Sequence, residues 1–581
     1  MILPTAKLDW LDGQPRSRAY DDIYFSRDGD AEVMRVFVEP SDLPGRAAEG
    51  EQLTVAELGF GSGRNFLCTA AVAAKRGCRL HFISVEQHPL RRNDLERALK
   101  GTAHVELAAE LAAHHPPPIS GWHRRVFNQG RTVLSLYLGD VHEFVDDLKG
   151  RHPHGVDAWF LDGFAPGKNP DMWSDGVLRA IGETARPGCS VATFTAAGRV
   201  RRALELAGFD MRRVDQRPHK RESLAGRLGL NRDLQAPAPP SAVHIAGAGI
   251  AGCSLAAHLA GSGIDVVLSD IAEAPATGAS SVIAMQHGRL LGDGSAQADW
   301  RAAAYLYATH WNADRPEAVR TGAEQHPGPN MDEAKLRRIA AAYEGSGDWL
   351  QLLEDKPALW FPDAAVVDLP ELCTALANHP RIEKQFGKRI ETDLPTVFAC
   401  GAASIELPAC EGMPIRAIWG QIDRVRINQV RMNRVRMNRV RTAPLPNHAV
   451  IGNGYLAPLG EDLVAGSTYE YTPWEIDEAT RTNLARLPGK SVEWLERRRG
   501  ARTVASDRTP VVGYHKGVWL STAHGSMGAT SAHLSAALIT HKLLGWIPPV
   551  DSHVEHLLRP SRFEERARKR QLRSGREPEA L

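Results

Sequence analysis

Short apolar runs recur through the first part of the chain, each long enough for one strand, and three successive ones close on an acid. LTVAELGFGSGRNF predicts a strand from Leu53 to Leu58, then a glycine loop and a small-residue helix. A second strand, Leu80 to Val85, ends in Glu86; a third, Val133 to Leu138, leads to Asp140; a fourth, Ala158 to Leu161, ends at Asp162. Helical stretches separate them, and RPGCSVATFT followed by AGRVRRALELAGF adds a further strand and helix. The alternation predicts an α/β unit with a mostly parallel sheet. Ligands of such sheets bind beyond the carboxyl ends of the strands, which is where these acids fall.

The pattern stops at APAPPS, a Pro-rich run that predicts a linker over 236–241. It restarts at 242 with a strand, AVHIAG, a second glycine loop, GAGIAG, a helix, CSLAAHLAGSG, and a strand, IDVVLSD, closing on Asp270. Near the far end, RTVASDRTPVVG (Arg502 to Gly513) precedes a strand, GVWLST, and then AHGSMGATSAHLSAALI, a glycine loop entering a helix. One segment fits neither period: VRINQ, VRMNR, VRMNR and VRT repeat every five residues from Val425 to Thr442. With Arg424 it holds seven arginines and no acid after Asp423. It reads either as an RNA-contacting loop or as a duplicated, solvated insertion.

Length and charge narrow the classes. A chain of 581 residues exceeds one hydrophobic core and suggests two to four domains. Lys and Arg number 70 against 69 Asp and Glu, so nucleic acid would have to be held by local patches, not by a chain-wide field. The seven cysteines are scattered, with neither CxxC pairs nor His at metal-ligand spacing, which predicts a reducing compartment and no metal site. MILPTAKLDWLDG lacks a signal-peptide pattern, and no stretch reaches the roughly 18 apolar residues of a membrane span. The expectation is a cytoplasmic enzyme without a membrane or obligate protein partner.

The two glycine loops differ in kind. Gly59, Gly61 and Gly63 depart from GxGxxG, and with Asn65 behind them they resemble the ELGxGxG loop of class I methyltransferases, which passes the methionine part of S-adenosylmethionine. That resemblance implies that Glu86 accepts hydrogen bonds from the ribose hydroxyls and Asp140 one from the adenine amino group; the alternative is that each merely terminates a strand. Gly247, Gly249 and Gly252 form a dinucleotide fingerprint, with Asp270 about 20 residues on to bind a ribose diol. Flavin and nicotinamide share this geometry. The late segment, with Arg502, Gly525, Ser526, Met527 and Gly528, resembles the part of flavin amine oxidases that returns to the cofactor, and it favours FAD.

DDIYFS (Asp21 to Ser26), ELGFGSGRNF, DAWFLDGFAPGKNPDMWS, KRE (Lys220 to Glu222) and SDRTPVVG, in this order, resemble the family of bacterial bifunctional tRNA 5-methylaminomethyl-2-thiouridine biosynthesis proteins. The resemblance implies a class I, Rossmann-like methyltransferase domain (1–235), the linker, an FAD-binding Rossmann domain with an α+β substrate domain of the amine oxidase type (242–560), and a charged tail (561–581). It implies two reactions on the wobble uridine of tRNA: FAD-dependent removal of a carboxymethyl group, then methylation of the exposed amine. Asp162 is the expected catalytic residue, Phe164 and Pro166 the expected wall of a base pocket, and Lys168 an expected contact to nucleotide or phosphate; Lys220 and Arg221, clustered with Arg212 and Arg213, read either as tRNA contacts or as a solvated basic face. A rigid Pro-containing turn capped by Asp162 is the bland alternative for that loop. The chain departs from the family after GAS, where GN and a later aromatic–Pro pair give way to Ser281, Val282 and MQHGRLLGDGS. A small-amine oxidase fused to a small-molecule methyltransferase, or a tRNA-binding scaffold with degenerate sites, are the other classes left open.

Overall fold

Alternate residues of the central strands feed two different cores, which is why these strands read as unbroken apolar runs. In Gln52–Leu58, Leu53 and Val55 join one cluster with Phe66, Phe82 and Phe160, while Ala56 and Leu58 join another with Ile83, Trp159 and Leu161. The computed structural model describes residues 1–48, 51–219, 221–229, 238–329, 331–427, 447–487 and 491–573. Lys220, the start of the expected linker and the repeat beyond Ile427 lie outside the described residues. Two compact units result: Met1–Pro239 with His541–Asp551, and Pro240–Thr540 with Ser552–Leu581.

The first unit is built on an eight-stranded sheet in the order Phe209–Asp215, Glu222–Leu228, Ala185–Thr193, Val156–Leu161, Gln52–Leu58, Arg79–Glu86, Thr132–Leu138, Gly121–Phe127. The five strands from Ala185–Thr193 to Thr132–Leu138 are parallel, and the flanking pairs are antiparallel. The chain lays Gln52–Leu58 in the centre, fills one side, then crosses to Val156–Leu161 on the other. The order reverses at the central strand, and a crevice opens at its carboxyl end.

The second unit carries a six-stranded sheet in the order Ile382–Phe386, Asp265–Asp270, Ala242–Ala246, Thr396–Phe398, Val518–Thr522, Val511–His515, parallel except for its last hairpin. The helix Ile250–Gly261 follows the first strand, as a dinucleotide fold requires. A separate eight-stranded sheet holds the long pair Ile415–Ile427 and Val492–Ala505. The repeat starts inside the first of these strands, where Arg424 and Arg426 pair with the buried Asp462 at 2.6 and 2.8 Å. Two of its seven arginines therefore serve the sheet and belong to no loop. The expected charged tail contains a helix, Arg562–Arg573, whose buried Arg562 donates to Asp507 at 3.0 Å and to the Thr509 carbonyl at 2.9 Å. Among the described residues, no helix is long and apolar enough to cross a membrane.

One buried ion pair fixes the N-terminal segment to the helix behind the first glycine loop. Arg64, at the start of the helix Arg64–Lys75, donates to Asp30 at 2.5 Å and to the Ala98 carbonyl at 2.8 Å, and its guanidinium lies 4.3 Å from the Phe25 ring centroid. Asp30 also accepts from Thr102 Oγ1 (2.7 Å) and Ala103 N–H (2.8 Å). Burial alone would raise the Asp30 pKa; the Ala103 and Thr102 hydrogen bonds and the Arg64 charge outweigh it and hold the carboxyl below its ordinary value. A depressed carboxylate contributes stability that is fully present above its unfolded pKa of about 4 and is lost as pH falls through the folded value. Asp30→Asn is expected to destabilise the first unit by about 1–3 kcal/mol near neutral pH and to flatten its acid limb. Denaturant unfolding of parent and variant at neutral and acid pH measures both.

Candidate active sites

At the carboxyl end of the central strand the loop Gly59–Gly63 turns directly into the helix Arg64–Lys75. Gly59 has φ +81°, and a Cβ there would stand 3.0 Å from the Gly163 Cα, so only glycine lets this loop lie against the backbone after Asp162. Gly61 and Gly63 also have positive φ. Glu86, half-buried at the end of the next strand, accepts from Gly61 N–H and His88 N–H, both at 2.9 Å. Burial pushes its pKa up, against the pull of those hydrogen bonds. Asp140 caps the helix Val141–Arg151, accepting from His142 N–H at 2.8 Å, and the neighbouring Gly139 N–H donates to the Glu86 carbonyl at 3.0 Å. Both acids engage backbone donors at the strand ends, and each carboxylate oxygen retains further acceptor capacity beyond the bond it makes.

Asn65 is held between two acids. Its Nδ2 donates to Asp162 Oδ2 at 2.8 Å and to Glu57 Oε1 at 2.6 Å. The second oxygen of Glu57 lies 2.6 Å from Ser84 Oγ, and that of Asp162 accepts from Gly163 N–H at 2.8 Å. Glu57 is fully buried, and its pKa is raised well above the usual carboxylate range by burial, with the nearby Asp162 and Glu86 charges adding to it. The sequence reading passed over this residue because it sits inside an apolar strand; the one signal was the acid in AELGFGSG.

The loop after Asp162 is bound to the segment around DDIYFS. Phe164 stacks on Tyr20, with ring centroids 4.6 Å apart, and meets Tyr24 edge-on at 5.3 Å. Trp173 Nε1 donates to the Phe164 carbonyl at 2.9 Å, and Ala165 N–H to Asp22 at 3.1 Å. Pro166 is half-buried in this turn. Lys168 is exposed and donates to the Asp21 carbonyl. The aromatic walls contributed by Tyr20 and Tyr24 were missed, since only a contact across 140 residues reveals them. Arg221 lies exposed before the strand Glu222–Leu228. In the same basic stretch, Arg213 pairs with Glu222 and Arg217 with Asp215.

The second unit repeats the strand–loop–helix device. A Cβ at Gly252 would fall 1.8 Å from the Gly247 carbonyl oxygen, so the helix reaches the strand only through glycine. Asp270 accepts from Ala248 N–H (2.7 Å) and Ala272 N–H (3.0 Å), and Ile250 N–H donates to Ser280 Oγ (2.9 Å) just after Gly249. This cradle suits a dinucleotide pyrophosphate and ribose. The late turn Gly525–Met527 and the helix Gly528–Leu544 come back to it: a Cβ on Gly528 would lie 3.4 Å from Ile250 Cγ2. Ser526 Oγ accepts from Arg289 at 2.8 Å.

Arg502 lies in the long strand Val492–Ala505 of the eight-stranded sheet, outside the dinucleotide sheet. It donates to the Thr468 carbonyl at 2.6 Å, the Trp419 carbonyl at 3.3 Å and Ser467 Oγ at 3.2 Å. Burial lowers its pKa, while Tyr455, Tyr469 and Glu470 oppose that shift. Burial also lowers Arg289, to about 10, and Arg502 and Arg301 deepen the shift as like charges. Arg289 belongs to the departing MQHGRLLGDGS stretch, and no reading of the sequence singled it out.

The strand order, glycine cradles and acid-lined crevice define a two-site enzyme, a class I methyltransferase unit followed by an FAD-dependent oxidoreductase unit. A family model described as S-adenosyl-L-methionine-dependent methyltransferase matches residues 103–228, and one described as FAD dependent oxidoreductase matches 242–542. A protein of Marinobacter nauticus is 33% identical over 614 aligned positions, covering 93% of this chain and 94% of its own length. One from Aromatoleum aromaticum is 34% identical over 669, covering 99% and 100%. A solved glycine oxidase from Geobacillus kaustophilus is 18% identical, with a TM-score of 0.43, over 53% of this chain and 95% of its own. Both curated relatives are named tRNA 5-methylaminomethyl-2-thiouridine biosynthesis bifunctional protein, and the chain belongs to that family.

Gly252→Ala is expected to abolish flavin retention and leave methyl transfer to aminomethyl-bearing tRNA intact. Flavin absorbance of the purified full-length variant, beside its methyl-transfer rate, checks this.

Proposed function

We propose that this chain completes the side chain of the wobble uridine in the anticodon loop of tRNA, in the cytoplasm, by two consecutive reactions. Residues 242–560 convert 5-carboxymethylaminomethyl-2-thiouridine to 5-aminomethyl-2-thiouridine, and residues 1–235 methylate that amine to give 5-methylaminomethyl-2-thiouridine. The Pro-rich 236–241 joins them, and 561–581 follows. Near-full-length similarity to the curated relatives, carrying both family models in this order, supports the reading.

In the first reaction a hydride leaves the CH2 group between amine and carboxylate, water adds to the resulting imine, and C–N cleavage frees glyoxylate and the amine. FAD, when bound through Gly247, Gly249, Gly252, Asp270 and the turn Gly525–Gly528, supplies the hydride acceptor. The substrate carboxylate needs a cation, and Arg502, half-exposed among Tyr455 and Tyr469, is the group suited to it. This moves Arg502 from the cofactor to the substrate.

In the second reaction the amine nitrogen attacks the methyl carbon of S-adenosylmethionine, the sulfonium C–S bond breaks, and a proton leaves nitrogen. The donor lies along Gly59, Gly61, Gly63, Glu86 and Asp140. Asp162, at the strand end beside that loop, accepts a hydrogen bond from the amine and turns its lone pair toward the methyl group. The single observation that carries this role is the Asn65 amide pinning Asp162 at 2.8 Å next to the Gly59 loop. A carboxylate with a reference pKa of about 4 is a weak base toward an alkylammonium near 10, so orientation is its main contribution. Phe164, backed by Tyr20, and Pro166 form the wall for the base; Lys168 and Arg221 face the nucleotide or phosphate.

Nucleoside analysis of treated tRNA tests the whole scheme. Without S-adenosylmethionine the aminomethyl nucleoside is expected to accumulate, and with it the methylaminomethyl product. Asp162→Ala should stop at the aminomethyl stage even with the donor, with methyl transfer slowed at least about 100-fold. Arg502→Met should block aminomethyl formation and leave methylation of supplied aminomethyl tRNA unchanged. No new nucleoside in either parent reaction would overturn the assignment.

A further inference from the structure

The methyltransferase crevice contains a carboxyl group that the two reactions do not use. Glu57 is the next-to-last residue of the central strand and has no exposed surface. An acid in that position must find partners, because an unpaired buried carboxyl costs several kcal/mol by order of magnitude. It finds two, Asn65 Nδ2 and Ser84 Oγ, each at 2.6 Å. The same Asn65 nitrogen lies 2.8 Å from Asp162 Oδ2. One amide nitrogen thus spends its two N–H bonds on two different carboxyl groups.

We propose that Glu57 is a positioning residue for methyl transfer that acts through Asn65, whose amide it holds against Asp162. The claim rests on the assignment of Asp162 to methyl transfer. An Asn side chain is free to turn over and present either its oxygen or its nitrogen. With oxygen toward Asp162 it would repel the carboxylate, and the acid would lose its orientation toward the amine. Glu57 removes that choice, since its Oε1 accepts only from the nitrogen end.

Both bonds run into Glu57, from the Asn65 amide to one oxygen and from the Ser84 hydroxyl to the other. Two further carboxylates, Asp162 and Glu86, act on it, and its burial removes the water that would screen them. Its pKa is raised accordingly, and the oxygen facing Asn65 keeps its acceptor role. Glutamine retains that contact: its carbonyl accepts from Asn65, while its amide meets Ser84 Oγ, whose hydroxyl turns to accept. Leucine fills the volume and can do neither.

The experiment compares full-length parent, Glu57→Leu, Glu57→Gln and Asp162→Ala on carboxymethylaminomethyl and aminomethyl tRNA. It reads methyl-transfer kcat, KM for S-adenosylmethionine and for tRNA, and aminomethyl formation as an internal measure of a folded chain. Glu57→Leu is expected to lower methyl-transfer kcat about 10- to 100-fold while both KM values and aminomethyl formation stay within about threefold of the parent. Glu57→Gln is expected to restore kcat to within about threefold. An unchanged kcat in Glu57→Leu overturns the proposal. So does a Gln variant as slow as the Leu one, or one that loses donor affinity, which would mean that a charged Glu57 contacts the donor. If Glu57→Leu also loses donor binding through misfolding of the first unit, the Gln variant decides alone: parent-like kcat supports the proposal and a loss overturns it. Full methyl transfer by Asp162→Ala would bring down the role of Asp162 itself, whereas loss there with none in a folded Glu57→Leu removes only the role of Glu57.

Discussion

Both units depend on one steric constraint: a helix must begin against the end of a strand, closer than any side chain permits. In the second unit the Gly252 position lies so near the Gly247 carbonyl that a methyl group would overlap it at 1.8 Å. In the first, the Gly59 position lies 3.0 Å from the backbone that follows Asp162. Hydrogen in place of Cβ is what draws the loops in, and the drawn-in loops leave backbone N–H groups at the strand ends. The acids then have donors to meet. Glu86 takes Gly61 and His88, Asp270 takes Ala248 and Ala272, and Asp162 takes Gly163.

That logic explains why the crevices tolerate so many carboxyl groups. A carboxylate at the end of a parallel strand is half out of water, and a backbone N–H compensates for part of the lost solvation. Glu57 sits one step deeper, inside the strand, where burial and neighbouring charge outweigh its two hydrogen bonds. The step from a buried acid with a raised pKa to engaged carboxylates at the mouth is made across the ends of neighbouring strands, Gln52–Leu58 and Val156–Leu161. Asn65 connects the two ends of it.

The parts legible in the sequence were those with a local period. Strands closing on Glu86, Asp140, Asp162 and Asp270 followed from short apolar runs ended by an acid, and the sheet order follows from the crossovers such strands need. What escaped was long-range. Tyr20 and Tyr24 reach Phe164 from within and beside DDIYFS, a segment legible only as a family motif, and nothing local says where its rings go. Arg502 has sequence neighbours that resemble a cofactor segment, and its strand pairs with Ile415–Ile427 outside the dinucleotide sheet, a pairing no local pattern announces. Arg424 and Arg426 looked like the start of an arginine loop; strand pairing and Asp462 claim both. Glu57 escaped for a different reason, since an acid inside a run of buried residues is invisible to hydrophobic periodicity unless its partners are known.

The two sites have opposite electrostatic characters, and the substrate changes charge between them. Before oxidation the uridine side chain carries a carboxylate, which suits Arg502 with Arg289 and Arg301 acting on the same region. It is repelled where Glu86 and Asp162 line the crevice. After oxidation the carboxylate is gone and a free amine remains, which acids attract and arginines repel. The order of reactions therefore does not need a separate timing device. With Arg502 and Asp162 in the roles proposed for them, each unit favours the nucleoside that the sequence of chemistry presents to it, and the domain order along the chain, the reverse of the reaction order, carries no mechanistic weight.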